Sequence, residues 1–181
     1  MTTTLDSGQT SLVIKPNSRF MMSHPAHIIA QGFGSGLSPI MPGTSGTLFA
    51  WLSFNVLSSR WPAMFTPIHW LIIIAAGFVV GIFVCGKTGR DLGIADHGSM
   101  VWDEIVAFWL VLWLWMPVGL FGQLVAFILF RLFDALKPGP VGWADRHFHG
   151  LGWRGGFGIM FDDIVAAFCT LLIISLWQAT R

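Results

Sequence analysis

The run EIVAFWLVLWLWMPVGLFGQLVAFILF (residues 104–130) decides how the rest of the chain is arranged. It is long enough for one spanning helix, yet MPVG (residues 116–119) sits near its middle. A single helix, straight or kinked at the proline as membrane helices tolerate, would carry Asp103 and Asp134 to opposite sides of a bilayer. A turn at Pro117 and Gly119 would instead give two shorter helices folded back as a hairpin, with both acids at one face.

The neighbouring runs favour the hairpin. Residues 65–85 (FTPIHWLIIIAAGFVVGIFVC) carry no charge and match the ~20 residues a spanning helix needs. Residues 161–177 begin with Asp162 and Asp163 and are then apolar, while residues 47–57 form a weaker run that spans, packs or re-enters. With helices near 44–59, 66–85 and 162–178 and a hairpin between, Lys15, Arg19, Lys87, Arg90, Arg131, Lys137, Arg146 and Arg154 fall on one side. Only Arg60 and Arg181 fall on the other, and all nine carboxylates join the basic majority. Cytoplasmic loops carry that excess of Lys and Arg. A single long span would divide the basic residues nearly evenly. The expected fold is therefore all-α: a multi-pass membrane helical bundle with a hairpin around Pro117 and acid-rich cytoplasmic helix ends.

Composition agrees. Charged residues make up 10% of the chain and hydrophobic ones 54%, whereas a soluble domain carries about a quarter of its residues as charges. Ten Trp and sixteen Phe fit aromatic belts at the membrane interfaces. A net charge of +1 argues against a nucleic-acid partner, which would need a strong basic patch. Residues 1–30 are polar, contain no apolar core and so do not resemble a signal peptide; they are expected to be a mobile arm before a single membrane-embedded domain over 31–181. Nothing in the sequence specifies an oligomeric state.

One motif misleads. GIFVCGKT (residues 81–88) fits the pattern G-x-x-x-x-G-K-[ST], but a phosphate loop joins a buried strand to a helix. Here the match is the tail of an apolar run, with Gly86 and Lys87 read as a helix end and basic anchor, so no nucleotide is expected. Cys85 and Cys169 lie in or beside apolar runs without a C-x-x-C pair and are read as small packing residues.

The acids are more informative. Asp96 and His97 precede Asp103 and Glu104, Asp134 ends the second hairpin segment, and Asp162–Asp163 open the last run. Asp103 and Asp162 could simply cap the helices they precede. Glu104 and Asp163 stand one residue further in, able to turn into the bundle, where an unpaired carboxylate is costly. The hairpin lets Asp103, Glu104 and Asp134 converge, and convergent carboxylates repel unless a hard cation such as Mg²⁺ binds them. On the residues alone, a metal site and a set of structural acids both stand. The segment GFGSGLSPIMPGTSGTL (residues 32–48) offers Gly34, Gly36, Gly43 and Gly46 for close backbone approach to a ligand. Thr44 and Ser45 sit at a helix start that would attract an anion; a flexible interfacial loop is the other reading. Lys137 either holds a phosphate or anchors a helix end. His97, His147 and His149 are candidate proton carriers, and His69 near the opposite face is read as structural.

Taken together, GFGSGLSPIMPGTSGT (32–47), DHGSMVWDE (96–104), FRLFDALKP (130–138) and GGFGIMFDDIVAA (155–167) resemble, in order, the signature of the phosphatidylglycerophosphatase A family. The resemblance covers everything from about residue 32 to the C-terminal helix. It implies an all-helical, Mg²⁺-dependent phosphomonoesterase of the bacterial inner membrane, its active site facing the cytoplasm. Such an enzyme removes the terminal phosphate of phosphatidylglycerophosphate to give phosphatidylglycerol. Asp103, Glu104, Asp134 and Asp163 would hold the metal, with Asp162 moving protons and Asp96 and His97 as further candidates. Gly34, Ser35, Gly36, Thr44, Ser45 and Lys137 would hold the substrate phosphate. Two departures, Gly139 where the family usually has a bulky aromatic and a longer 146–155 link, fall where the headgroup would sit. The alternatives are a phosphatase of another lipid headgroup and a small cation transporter lined by the same acids.

Overall fold

The computed structural model describes residues 16–148 and 150–180 and contains, among them, helices and turns with no strand. Short helices α1 (Ser18–Met21) and α2 (Pro25–Ala30) lead through a 3₁₀ segment (Gly32–Leu37) into α3 (Pro42–Arg60) and α4 (Pro67–Leu92). Helices α5 (Trp102–Trp115), α6 (Leu120–Leu136), α7 (Pro140–His147) and α8 (Trp153–Ala179) complete the order. Two of them, α4 and α8, are long and apolar enough to cross a membrane.

The opening stretch of the 104–130 run becomes the central post. Every residue from Trp102 to Leu112 is buried, as a helix with no polar face must be, and α3, α4, α6 and α8 pack around it. The chain leaves helical geometry at Met116, where the Met116–Pro117 peptide is cis, and resumes it at Leu120. Beyond the break, Phe108 meets the rings of Phe127 and Phe130 at 5.8 and 5.5 Å, and Glu104 Oε1 lies 3.7 Å from Arg131 Nη1.

Tryptophan braces this packing. Trp102 donates its indole N–H to Gly77 O at 2.9 Å, Trp109 to Ala50 O at 3.1 Å, and Trp70 to Ser58 Oγ at 2.9 Å. These three rings are buried, so part of the tryptophan content expected in interfacial belts lies inside, where each N–H has found an acceptor.

Three boundaries differ from expectation. Helix α8 begins at Trp153, not near 162, so Asp162 and Asp163 stand well inside it. The glycines of GGFGIM (residues 155–160), which in sequence read as a flexible entry to an acid-tipped helix, are a packing face: a Cβ on Gly156 would lie 2.0 Å from Ile82 O, and one on Gly158 2.2 Å from Phe148 O. Helix α4 likewise runs through GKTGR to Leu92, its Lys87 paired with Asp91 at 2.7 Å. It ends only at Gly93 (φ 73), the left-handed residue that commonly stops a helix. Gly81–Thr88 is therefore uninterrupted helix. Third, residues 18–30, expected in a mobile arm, are packed: α2 lies on α4. There buried His27 meets Thr88 Oγ1 at 3.0 Å and Asp91 Oδ2 at 3.2 Å. Burial lowers the His27 pKa against the pull of Asp91.

Candidate active site

Four segments build one cleft of about 300 Å³. The first turn of α5 supplies Asp103 and Glu104, the last turns of α6 supply Arg131 and Asp134, and the interior of α8 supplies Asp162 and Asp163. The start of α3 closes the cleft with Pro42 and Gly43, Asp96 comes from the loop before α5, and Lys137 caps α6 in the left-handed conformation (φ 43). The site exists because α5 starts where α6 ends while α8 runs past both.

Its charges do not balance. Arg131 pairs with Asp134 and reaches Glu104, and Lys137 binds Asp145 at 2.6 Å and Asp162 at 2.5 Å. Among the described residues no lysine or arginine comes within ion-pair distance of Asp103 or Asp163, which are 7% and 2% exposed. One oxygen from each of Asp103, Glu104 and Asp163 lies within 4.8 Å of the others. Asp103 Oδ1, Glu104 Oε2 and Asp163 Oδ2 are buried without a hydrogen-bond partner. Native proteins seldom leave buried carboxylate oxygens orphaned, and three at such spacing fit the all-oxygen coordination of Mg²⁺. Asp134, the fourth expected ligand, lines the same cleft but is engaged by Arg131.

Lys137 is held as an ammonium. Burial works against its charge, but the Asp162 carboxylate and the hydrogen bonds to Asp145 and Asp162 outweigh that, raising its pKa above the ordinary lysine value.

The other expected residues are distributed differently. Neither Asp103 nor Asp162 is an N-cap: Val101 precedes α5, and Asp162 accepts the N–H of Asp163 within α8. Ser35 Oγ donates to Gly32 O at 2.8 Å. A Cβ on Gly36 would lie 2.1 Å from Ser99 O, so Ser35 ties its own turn and Gly36 packs on the loop before α5; both stand outside the acid cleft, as does Gly34. Thr44 Oγ1 is buried without a partner, and Ser45 N–H is spent on Met41 O. His97 accepts the Ser99 N–H at 3.1 Å and faces the neighbouring cavity. His147 packs in a tilted pair with Trp143, ring centroids 4.6 Å apart, and does not line the acid cleft. His69 binds Thr66 Oγ1 at 2.8 Å; His149 lies outside the described residues.

One charged cleft residue did not emerge as a site candidate from the sequence, and one expected glycine has a more specific part there. Arg131 stands three residues before Asp134, on the same helix face, a spacing readable in FRLFDALKP. Gly43 is required by contact: a Cβ there would meet Glu104 Oε1 at 2.4 Å and Arg131 Nη2 at 2.9 Å.

The family model described as Phosphatidylglycerophosphatase A matches residues 28–178. Among curated proteins, Phosphatidylglycerophosphatase A of Escherichia coli K12 is 42% identical over 156 residues, 82% of this chain and 81% of the relative. That of Haemophilus influenzae is 37% identical over 166 residues, 88% of this chain and 92% of its own. A Bacteroides thetaiotaomicron protein provisionally named a phosphatidylinositol-3-phosphatase is 32% identical over 158 residues, 82% and 90% of the two chains. No solved structure matches. The acids that could have lined a transport path therefore sit in a chain that, by its sequence over most of its length, belongs to the phosphatidylglycerophosphatase A family.

Proposed function

We propose that this protein hydrolyses the terminal phosphate of phosphatidylglycerophosphate, giving phosphatidylglycerol and inorganic phosphate. The observation that carries the reading is the family match over 28–178, joined to a cleft whose orphaned carboxylate oxygens call for a cation. Asp103, Glu104 and Asp163, with Asp134 beside them, would hold Mg²⁺, which supplies charge neutralisation for a dianionic phosphate and lowers the pKa of bound water. Arg131 and Lys137, the cations lining the cleft, hold the non-bridging phosphate oxygens together with the N-terminal amides of α3. Water attacks phosphorus, the bond to the glycerol oxygen breaks, and that oxygen takes a proton. Asp162, fixed by Lys137, is the carboxylate placed to take the proton the water gives up and pass it to that oxygen. Neither cysteine serves as nucleophile, since Cys85 is fully buried and Cys169 lies on α8 beyond the acids.

The chain sits in the bacterial inner membrane as a multi-pass bundle, with the α5–α6 pair an inserted hairpin and the acid cleft at the cytoplasmic side. The exposed leucines, isoleucines and phenylalanines along the outer faces of α3, α4, α6 and α8 support this, being too extensive an apolar surface for water. So does the eight-to-two division of basic residues. The headgroup stays in the cleft and the acyl chains stay in the lipid.

The test is phosphate release by purified protein from phosphatidylglycerophosphate in detergent, with Mg²⁺ or chelator, alongside Asp103→Asn. Release that needs both Mg²⁺ and Asp103 is expected. Because one relative is named for another headgroup, phosphatidylinositol 3-phosphate runs in parallel. Preference for it would transfer the same chemistry to that lipid, and release from neither by folded protein would overturn the reading.

A further inference from the structure

Below the acid cleft, α3 and α6 flank an apolar groove of about 500 Å³. On α3 the residues facing it, Leu48, Trp51, Leu52 and Asn55, follow the helical spacing that continues upward to Thr44, whose buried hydroxyl has no partner. On α6 the stripe Leu120, Gln123 and Phe127 continues to Arg131 and Asp134 in the cleft. The two stripes touch at successive levels. Arg131 Nη1 donates to Thr47 Oγ1 at 3.4 Å, and Trp51 stacks on Phe127 with centroids 5.4 Å apart. Gln123 Oε1 accepts from Trp51 Nε1 at 2.6 Å and from Asn55 Nδ2 at 2.9 Å. The helices that hold the phosphate site are thus the helices that wall the groove.

We infer that this groove seats one acyl chain of the lipid substrate, in register with the phosphate in the cleft. The inference rests on the lipid-phosphatase reading. Leu52 lies about 14 Å along α3 from Gly43, and Gln123 about 12 Å along α6 from Arg131. Those depths match one leaflet, about half of the ~30 Å hydrocarbon core. The bridge of Trp51, Asn55 and Gln123 satisfies its N–H donors internally, since Gln123 Nε2 also donates to Val118 O at 3.1 Å. It therefore sits at acyl depth without exposing unpaired donors to lipid. Surrounding lipid is as apolar as the groove, so the seat does not attract the chain; it fixes where the chain's headgroup ends.

The test compares phosphatidylglycerophosphate bearing two oleoyl chains with the same lipid bearing two hexanoyl chains. The proteins are wild type, Leu52→Trp, Leu48→Trp and, as control, Ile72→Trp on the exposed face of α4. Filling the groove should lower the long-chain to short-chain ratio of kcat/KM by about tenfold, as expected when a reacting group is held off its position. Ile72→Trp should leave the ratio unchanged. An unchanged ratio in both groove variants, or an equal fall in the control, overturns the seat. If the groove variants do not fold, a diazirine in the acyl chain decides on wild-type protein. Adducts concentrated on residues 48–55 and 120–127 support the seat, and labelling no denser than at Ile72 overturns it. Hydrolysis of neither lipid by wild type would instead sink the phosphatase reading, and the seat with it.

Discussion

Gly43→Ala separates catalysis from stability. The added Cβ would begin 2.4 Å from Glu104 Oε1, whereas ordinary contact starts at 3.4 Å. Glu104 must therefore retreat by roughly 1 Å and the Arg131 guanidinium, 2.9 Å away, by about half that. Both atoms are ends of flexible side chains, so the fold has room to yield. Alanine gains about 0.5–1 kcal/mol over glycine in a helix, less in a first turn, and the net stability change should stay within about 1 kcal/mol. Activity has no such slack, because a misplacement of about 1 Å costs on the order of 100-fold in rate, some 2.7 kcal/mol of barrier. The assay is kcat/KM for phosphate release beside thermal unfolding in the same detergent. Near-wild-type kcat/KM in folded protein would refute the reasoning, because the Glu104–Arg131 corner would then be idle. A large loss of stability would refute it differently, by making any loss of activity a consequence of unfolding.

Other expectations follow from the same geometry. Without divalent cation, Asp103→Asn should unfold at a higher temperature than wild type, because it relieves repulsion among buried carboxylates; Mg²⁺ should then raise the wild-type midpoint more than the variant's. Thermal unfolding with and without Mg²⁺ checks the crossing, and a variant less stable than wild type under chelation contradicts it. Gly156→Ala sets a Cβ against the α4 backbone, 2.0 Å from Ile82 O, where nothing flexible can move, and should cost about 1–3 kcal/mol, read as a lowered unfolding midpoint. Lys137→Met should destabilise by about 1.5–3 kcal/mol through its lost charged hydrogen bonds. The folded Lys137 pKa is raised, so this stabilisation is complete below the ordinary lysine value near 10.4 and fades only as pH climbs through the folded value. The gap between variant and wild type should therefore stay constant from about pH 8.5 to 10, and a gap closing within that range would contradict the assignment.

What the sequence made legible was what local chemistry controls. Length and unbroken apolarity marked α4, and Pro117 with Gly119 marked the break after α5. The carboxylates could be singled out because so few charges occur in so apolar a chain. What it hid depends on partners remote in sequence. The glycines at 155, 156 and 158 read as a flexible entry because glycine is a poor helix former, yet backbone of α4 lies against Gly156 and backbone before α8 against Gly155 and Gly158. Gly86 misled in the same way, and contact with the backbone at Gly152 carries α4 past it. Trp102 and Trp109 have the composition of interfacial anchors but find backbone carbonyls on neighbouring helices, which no periodicity announces. Arg131 was counted only as a topological charge, since its pairing with Glu104 needs α5 and α6 side by side.

Helix α8 passes its acids through the middle of the molecule, and that fixes the order in which the site comes into being during synthesis. Asp103, Glu104, Arg131 and Asp134 all leave the ribosome before Asp162 and Asp163. Until α8 docks, the earlier segments hold only part of the carboxylate cluster, with no third wall. A chain interrupted anywhere before residue 163 lacks part of the candidate site. On the proposed function, hydrolysis would then begin only once the last helix is in place, and its onset would report that the fold is complete.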